Sequence, residues 1–232
     1  MDIDPLVRLL SITLINVALS GDNVVVIGMA AASLPAHQRR LAILCGGLLA
    51  IVLRIGLTAV AELLLAVPLL PVVGGAALVF ISWRLLDANG PGEGVASSGA
   101  DGLGRAIMLI VAADLTMSVE NVIAVAGAAG DDVGLAVFGL LTSMPLLLVA
   151  GGVVASIIDR ARWLIYLGAA VICFAGLRMI LDDEHVVALT ELSATARLLG
   201  GLAAAAVLTI VFAWLRGRTP ADHQPQERTS HA

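Results

Sequence analysis

Two short polar motifs interrupt the most apolar stretches of the chain. Their members carry small, oxygen-bearing side chains and are, in order, Asn16, Ser20, Asp22 and Asn23, then Asp114, Ser118, Glu120 and Asn121. Positions i, i+4 and i+7 of each motif fall on one face of a helix. Carboxylate, amide and hydroxyl oxygens are hard donors that suit Mg²⁺, Ca²⁺ or Mn²⁺. Neither motif contains cysteine or histidine, which argues against a zinc or copper site.

The motifs contain three acids, Asp22, Asp114 and Glu120, and each lies within a predicted transmembrane span. A carboxylate at the centre of a bilayer costs about 2.5–3.5 kcal/mol on insertion scales. Such an acid is expected to hold a cation, carry a proton or pair with a basic residue. The serines and asparagines have a plainer alternative, which is hydrogen bonding between helices. Met117 offers a thioether that would favour Mn²⁺ over Mg²⁺, although methionine in an apolar helix more often only packs.

One basic residue, Arg54, is predicted near the middle of a span, with Glu62 eight residues further on. Arg54 could balance a site carboxylate, complete a gate, or form a structural pair with an acid, and we prefer the structural pair. Gly21 would let the first helix unwind inside its motif, as in transporters with broken helices. The matching position in the second motif is Val119, which would resist unwinding.

Composition places these motifs in a membrane protein. Of the 232 residues, 59% are hydrophobic and 13% charged, whereas soluble domains are nearer half apolar and a quarter charged. A soluble enzyme and a nucleic-acid binder are excluded on this ground, and the excess apolar surface must face lipid. We predict an all-α polytopic protein with seven transmembrane helices at about 6–30, 41–65, 69–86, 106–128, 133–157, 163–181 and 196–215.

Arginine placement predicts the orientation of these helices. The chain has 13 basic residues, all of them arginine. Nine fall in the predicted cytoplasmic segments and three in the outer ones, if the N-terminus lies outside. By the positive-inside rule we place the N-terminus outside and the C-terminus in the cytoplasm.

The chain also repeats itself. The second motif lies 98 residues after the first without a gap, and Gly74–Arg84 matches Gly168–Arg178 at an offset of 94. Three spans in each repeat force the second copy to cross the membrane in the opposite direction, as in many secondary transporters. We predict a first three-helix repeat at 1–86, a flexible cytoplasmic linker at 87–105 and a second, inverted three-helix repeat at 106–181. An outer loop with the seventh helix follows at 182–215, and a disordered cytoplasmic tail at 216–232.

Leu19–Ala30 and Ala112–Gly127, which contain the paired motifs, resemble the TerC integral membrane protein family, and within it the YjbE-like branch. The resemblance implies a multi-helix protein of the inner (plasma) membrane that exports manganese. The ion ligands it implies are Asp22, Asn23, Asp114, Glu120 and Asn121. Position 16 is Asn where the branch is usually acidic, which removes one negative charge. Position 120 is Glu where Asp is usual, which lengthens the arm.

We therefore expect a secondary transporter that exports a divalent cation, Mn²⁺ above others, by alternating access, with protons as candidate coupling ions of an antiporter. The alternative is a non-transporting membrane sensor or assembly factor of the tellurium-resistance type. An enzyme is not expected, because no span contains a histidine or a nucleophile–base pair. The expected partners are the lipid bilayer and the cation cargo, without nucleic acid or a permanently bound cofactor, and the sequence leaves homo-oligomers open.

Overall fold

The computed structural model describes residues 13, 20–60, 67–88, 100–129 and 133–217. Residues 58–59, 100–101, 119–129, 133, 135–137, 139–140 and 216–217 are described by their backbone alone. These residues form eight helices and contain no strand, which agrees with the predicted all-α class. The helices are α1 (Gly21–Ala32), α2 (Ala36–Ala59), α3 (Leu70–Ala88), α4 (Ala100–Ala129), α5 (Val133–Arg160), α6 (Leu164–Leu181), α7 (Glu184–Thr190) and α8 (Ala194–Gly217).

Two helices extend into the predicted linker at 87–105. Helix α3 continues to Ala88, and α4 begins at Ala100 rather than near 106. The early start of α4 has a packing reason, since Leu103 packs against the cluster of Ala106, Leu34 in the α1–α2 connection and Ala42 of α2. The glycines and charges of 100–105 are typical of a loop, but tertiary packing outweighs such local preference.

The long helices expose apolar side chains on their outer surfaces. Among the described residues, five helices are long and apolar enough to cross a membrane: Ala36–Leu57, Leu70–Ala88, Leu141–Arg160, Leu164–Leu181 and Ala194–Leu215. On α2, Leu41, Leu44, Leu48 and Val52 are all about half exposed or more, and their spacing places them on one stripe. Exposed apolar surface of this extent requires a lipid environment.

The helices pair across the repeat. Helix α1 packs against α5, α2 against α4, and α3 against α6. The repeat relates α1 to α4, α2 to α5 and α3 to α6. Exchanging the two repeats therefore turns the α1–α5 pair into the α4–α2 pair and leaves the α3–α6 pair unchanged. The α1–α5 contact is close, because a Cβ added at Gly28 would lie 2.4 Å from Cγ1 of Val154. The α8 helix packs mainly on α6, outside this arrangement.

The α3–α6 interface repeats at the level of single contacts. A Cβ at Gly75 would lie 2.3 Å from the carbonyl oxygen of Gly176, so the two backbones touch. Adding 94 to 75 and subtracting 94 from 176 gives Ala169 and Ser82. Those two residues also meet, since the Ser82 hydroxyl donates to the Ala169 carbonyl at 2.8 Å. The packing here follows the offset found in the sequence.

An arginine fixes the turn between α1 and α2. Arg39 donates to the carbonyl oxygens of Ala32 and Leu34, at 3.3 and 2.9 Å. Its guanidinium also pairs with Asp159 near the end of α5, where Nη2 donates to Oδ1 at 2.9 Å. One side chain therefore satisfies carbonyl groups around the end of α1 and ties the first repeat to the second.

Candidate metal-binding site

The second polar motif contains a buried ion pair. Arg54 of α2 donates from Nη2 to Oδ1 of Asp114 on α4 at 2.5 Å, and from Nε to the Ser118 hydroxyl at 2.9 Å. The Ser118 hydroxyl in turn donates to Oδ2 of Asp114 at 3.1 Å. The Arg54 side chain is 1% exposed and that of Asp114 is 9% exposed. Both carboxylate oxygens of Asp114 are thus engaged within a nearly closed cluster.

Local helix geometry assembles this cluster. Asp114 and Ser118 are four residues apart on α4, so their side chains share one face. The packing of α2 against α4 brings Arg54 to that face. Arginine presents a planar fork of donors, which suits two acceptors at once. Arg54 therefore pairs with an acid of the predicted site, which corresponds to the alternative in which it balances a site carboxylate.

The first motif sits at a helix start. Ser20 lies in a turn, α1 begins at Gly21, and the Ser20 carbonyl accepts the N–H of Val24 at 3.2 Å. Asp22 lies in the first turn of α1, where the helix dipole stabilises a carboxylate. The Asp22 side chain accepts a hydrogen bond from the N–H of Asn23 at 2.9 Å. By contrast, α4 runs without a break through Val119. Residues 14–19 lie outside the described part of the chain, so the unwinding expected at Gly21 stays a prediction.

Unpartnered polar atoms mark the first motif. The Ser20 hydroxyl and both amide atoms of Asn23 are buried and find no hydrogen-bond partner among the described residues. Ser20 is 0% and Asn23 is 3% exposed. A buried polar group without a partner costs about 1–3 kcal/mol. Such groups persist where a ligand or water completes them.

Asn23 and Asp114 line the same cavity. It lies between α1, α2, α4 and α5 and has a volume of about 10 Å³. That size corresponds to about one water molecule. Its remaining wall is largely apolar and is formed by Val26, Ile27, Gly47, Ala50, Ile110, Met144 and Leu148. The two motifs therefore meet where the two repeats meet, and the cavity joins an unpartnered amide to a paired carboxylate.

Several predicted site residues are not part of this picture. Asn16 lies outside the described residues, as do the side chains of Glu120 and Asn121 and the whole of Glu62. Within the described part of the chain, no three His, Cys, Asp or Glu side chains are grouped so that they could hold a metal ion. Met117 is buried in the apolar core with Met29 and Ile172, which is a packing position.

The sequence alone missed the wall of the cavity and the partner of Arg54. The isolated basic residue in a span was a clear signal of a buried pair, but three acids in two motifs were equally available as partners. Gly47 gave no signal, although a Cβ there would lie 2.4 Å from Cδ2 of Leu148. That closeness sets the width of the cavity between α2 and α5.

Comparison with known proteins places the chain. The family model described as the integral membrane protein TerC family matches residues 1–220. The chain belongs to the TerC family. One relative, the uncharacterized membrane protein YjbE of Bacillus subtilis (strain 168), is 40% identical over 186 residues, which cover 80% of this chain and 84% of that protein. No solved structure matches. With its long apolar helices, this TerC protein is an integral, multi-pass membrane protein.

Proposed function

We propose that this protein is a secondary transporter that exports a divalent metal cation, with Mn²⁺ as cargo, from the cytoplasm across the plasma membrane. It works by alternating access, with the N-terminus outside and the C-terminus in the cytoplasm. Protons returning through the same site supply the coupling. The cation is a substrate that passes through, and no resident cofactor or catalytic step is part of the proposal.

One observation carries the proposal. Asn23 of the first repeat and Asp114 of the second line a single cavity, and the Asn23 amide has no partner among the described residues. An amide oxygen and a carboxylate are the donors that Mn²⁺ and related hard cations accept. A site at the junction of two repeats is also where alternating access can expose it to either side.

The donors come from both repeats, which gives the transport step a physical basis. Asn23 lies in the first turn of α1, and Asp22 precedes it. Asp114 lies on α4, and Glu120 follows it in the sequence by six positions. A cation held between these helices would be released when rocking separates them, because its oxygen ligands would no longer converge.

The burial of the ion pair decides how the proposal is tested. Asp114→Asn would leave Arg54 buried without its carboxylate, and a loss of function could then reflect unfolding. Asp22→Asn is cleaner, because the observed hydrogen bond of Asp22 is to a backbone N–H. We expect Asp22→Asn to abolish manganese tolerance in cells while the amount of membrane-inserted protein stays the same.

The matched control is Asp182→Asn, which removes an acid 38% exposed at the end of α6 and should leave tolerance intact. Efflux from reconstituted vesicles with Mn²⁺, Ca²⁺, Mg²⁺ and Zn²⁺, with and without a pH gradient, assigns the cargo and the coupling. Unchanged tolerance in Asp22→Asn, or no cation flux in wild-type vesicles, would contradict the proposal. Loss of tolerance on removal of 218–232 alone would favour the sensor alternative instead.

A further inference from the structure

The ion pair between Arg54 and Asp114 raises a question about the loaded transporter, because it occupies an acid of the proposed site. The Arg54 guanidinium contacts Oδ1 of Asp114, and the Ser118 hydroxyl contacts Oδ2. Asp114 therefore has a counter-cation already, supplied by the protein. The cavity beside it, at about 10 Å³, has room for about one water molecule.

Burial sets Arg54 apart from the other arginines whose side chains the structure describes. Its side chain is 1% exposed, whereas that of Arg39 is 18% and that of Arg178 is 56% exposed. Among the described residues, Arg54 is the largest fully buried side chain. Arginine remains charged at any working pH, so its position, and not its protonation, is the variable.

A divalent cation and the guanidinium compete for the same carboxylate. Both are positive, and at close range in a poorly solvated cavity their mutual repulsion is strong. Asp114 would otherwise be a buried charge without a partner when the cargo has left, which is unfavourable. Moving the guanidinium away from Asp114 when the divalent cation arrives relieves this repulsion and frees a carboxylate oxygen for the cation.

We propose that Arg54 is a tethered counter-cation that occupies Asp114 whenever the cargo is absent and is displaced when the cargo binds. This inference rests on the proposed function. Arg54 is a positioning residue: it lowers the apparent affinity for cargo by competing for Asp114. It also allows the empty transporter to return, because Asp114 stays neutralised without cargo. The Ser118 hydroxyl holds both partners of the pair and fixes the alignment of the fork.

The test separates net transport from exchange. Purified full-length protein in vesicles is assayed for equilibrium Mn²⁺ binding, for net Mn²⁺ flux, and for exchange of labelled against unlabelled Mn²⁺. In Arg54→Gln we expect Mn²⁺ affinity to rise by about tenfold, equivalent to about 1.4 kcal/mol. Exchange should persist, since it needs no empty return, while net flux should fall by about tenfold or more. A merely structural arginine would not produce this split.

Arg54→Lys keeps the charge, so it protects the test if Arg54→Gln fails to fold. A lysine ammonium lacks the planar fork that reaches both Asp114 and Ser118, and we expect a smaller rise in Mn²⁺ affinity with net flux partly retained. The matched control is Arg178→Gln, which removes an arginine whose side chain is 56% exposed. All three measurements should match wild type in that control.

The outcomes distinguish this inference from the proposed function. If wild type neither binds nor moves Mn²⁺, both are overturned. If wild type transports Mn²⁺ but affinity is unchanged or lower in folded Arg54→Gln, or in Arg54→Lys where Arg54→Gln does not fold, the counter-cation role alone is overturned. The same follows if folded Arg54→Gln loses binding and exchange together with net flux.

Discussion

The two polar motifs share residue types and spacing, yet they are satisfied in different ways. In the second motif, hydrogen bonds link Asp114 and Ser118 to Arg54 in a buried network. In the first motif, Ser20 and Asn23 are buried, and the Ser20 hydroxyl and the Asn23 amide have no partner among the described residues. Asp22 and Asn23 lie in the first turn of α1, whereas Asp114 and Ser118 lie within the continuous helix α4.

This difference assigns separate tasks to similar sequences. Hydrogen bonds within a buried network stabilise and orient its members. Unsatisfied buried groups cost stability, and under the proposed function they belong to the part of the molecule that binds the cation. The pseudo-equivalent serines Ser20 and Ser118 thus provide an internal comparison, since the same substitution can be made in both environments.

The largest predicted effect concerns the ion pair. Asp114→Asn alone should lower the free energy of unfolding by about 3–5 kcal/mol, because it removes the carboxylate that pairs directly with the buried Arg54 guanidinium. The double variant Asp114→Asn with Arg54→Gln should lose clearly less, since no lone charge remains. Denaturant unfolding in detergent measures both. Equal losses in the single and double variants would show that the pair is not a closed charge unit.

The serine substitutions sharpen the comparison directly. Ser118→Ala should lower the free energy of unfolding by about 1.5–3 kcal/mol, because hydrogen bonds to two charged groups are lost. Ser20→Ala should be neutral or slightly stabilising, because its buried hydroxyl has no partner among the described residues. Thermal unfolding under identical conditions compares the two. Equal destabilisation by both would remove the distinction between the motifs.

A substitution at Asn23 should raise the free energy of unfolding, whereas those at Asp114 and Ser118 should lower it. Asn23→Leu should raise the free energy of unfolding by about 1 kcal/mol, since it replaces an unsatisfied buried amide by an apolar group of similar size. Manganese flux should be lost in the same variant, because a cavity oxygen donor disappears. Unfolding and vesicle flux are measured on one preparation. Destabilisation by Asn23→Leu would indicate that the amide is already satisfied.

The exposed ion pairs of Asp182 should contribute least to the free energy of unfolding, and they provide a reference for the buried pair. Asp182 accepts hydrogen bonds from Arg178 at 2.9 Å and Arg197 at 3.0 Å. Burial raises the pKa of Asp182, but the contacts with Arg178 and Arg197 outweigh it and leave the pKa below its usual range. The resulting stabilisation is present above about pH 4, near the unfolded pKa, and is lost as the pH falls through the lowered folded value.

Because Asp182 is 38% exposed, solvent screening should hold this contribution below about 1 kcal/mol. Unfolding measured between neutral and acidic pH, in wild type and Asp182→Asn, detects it as a small difference that closes at low pH. A difference of several kcal/mol would mean that the α6–α8 junction is far less solvated than its exposure indicates.

Much of the fold could be predicted from hydropathy and internal symmetry. The helices α2 to α6 and α8 correspond to predicted spans, since long apolar runs leave few alternatives. The contact of Gly75 with Gly176 and its equivalent between Ser82 and Ala169 obey the offset read from the sequence. Hydropathy predicted the first residues of the helices less well. The α2 helix begins at Ala36, ahead of its apolar run, because the Pro35 carbonyl accepts hydrogen bonds from the N–H groups of Gln38 and Arg39.

The candidate site was predictable in its residues and less so in its connections. The motifs marked Asn23 and Asp114, and the structure brings both to one cavity. The choice of Asp114 for Arg54 depends on how α2 crosses α4, which no local pattern encodes. Ligation of a metal by these residues, and by Asn16, Glu120 and Asn121, stays a prediction.

The buried ion pair has a consequence for how this chain is built from its two repeats. Arg54 belongs to the first repeat and Asp114 to the second, and neither has a like-charged counterpart: Asn16 matches Asp114, and residues 133–159 contain no basic residue. Two copies of the first repeat would bury two arginines without facing Asp114. Two copies of the second would bury two aspartates without arginine. The pair takes one residue from each half, so neither two copies of the first half nor two copies of the second could form it.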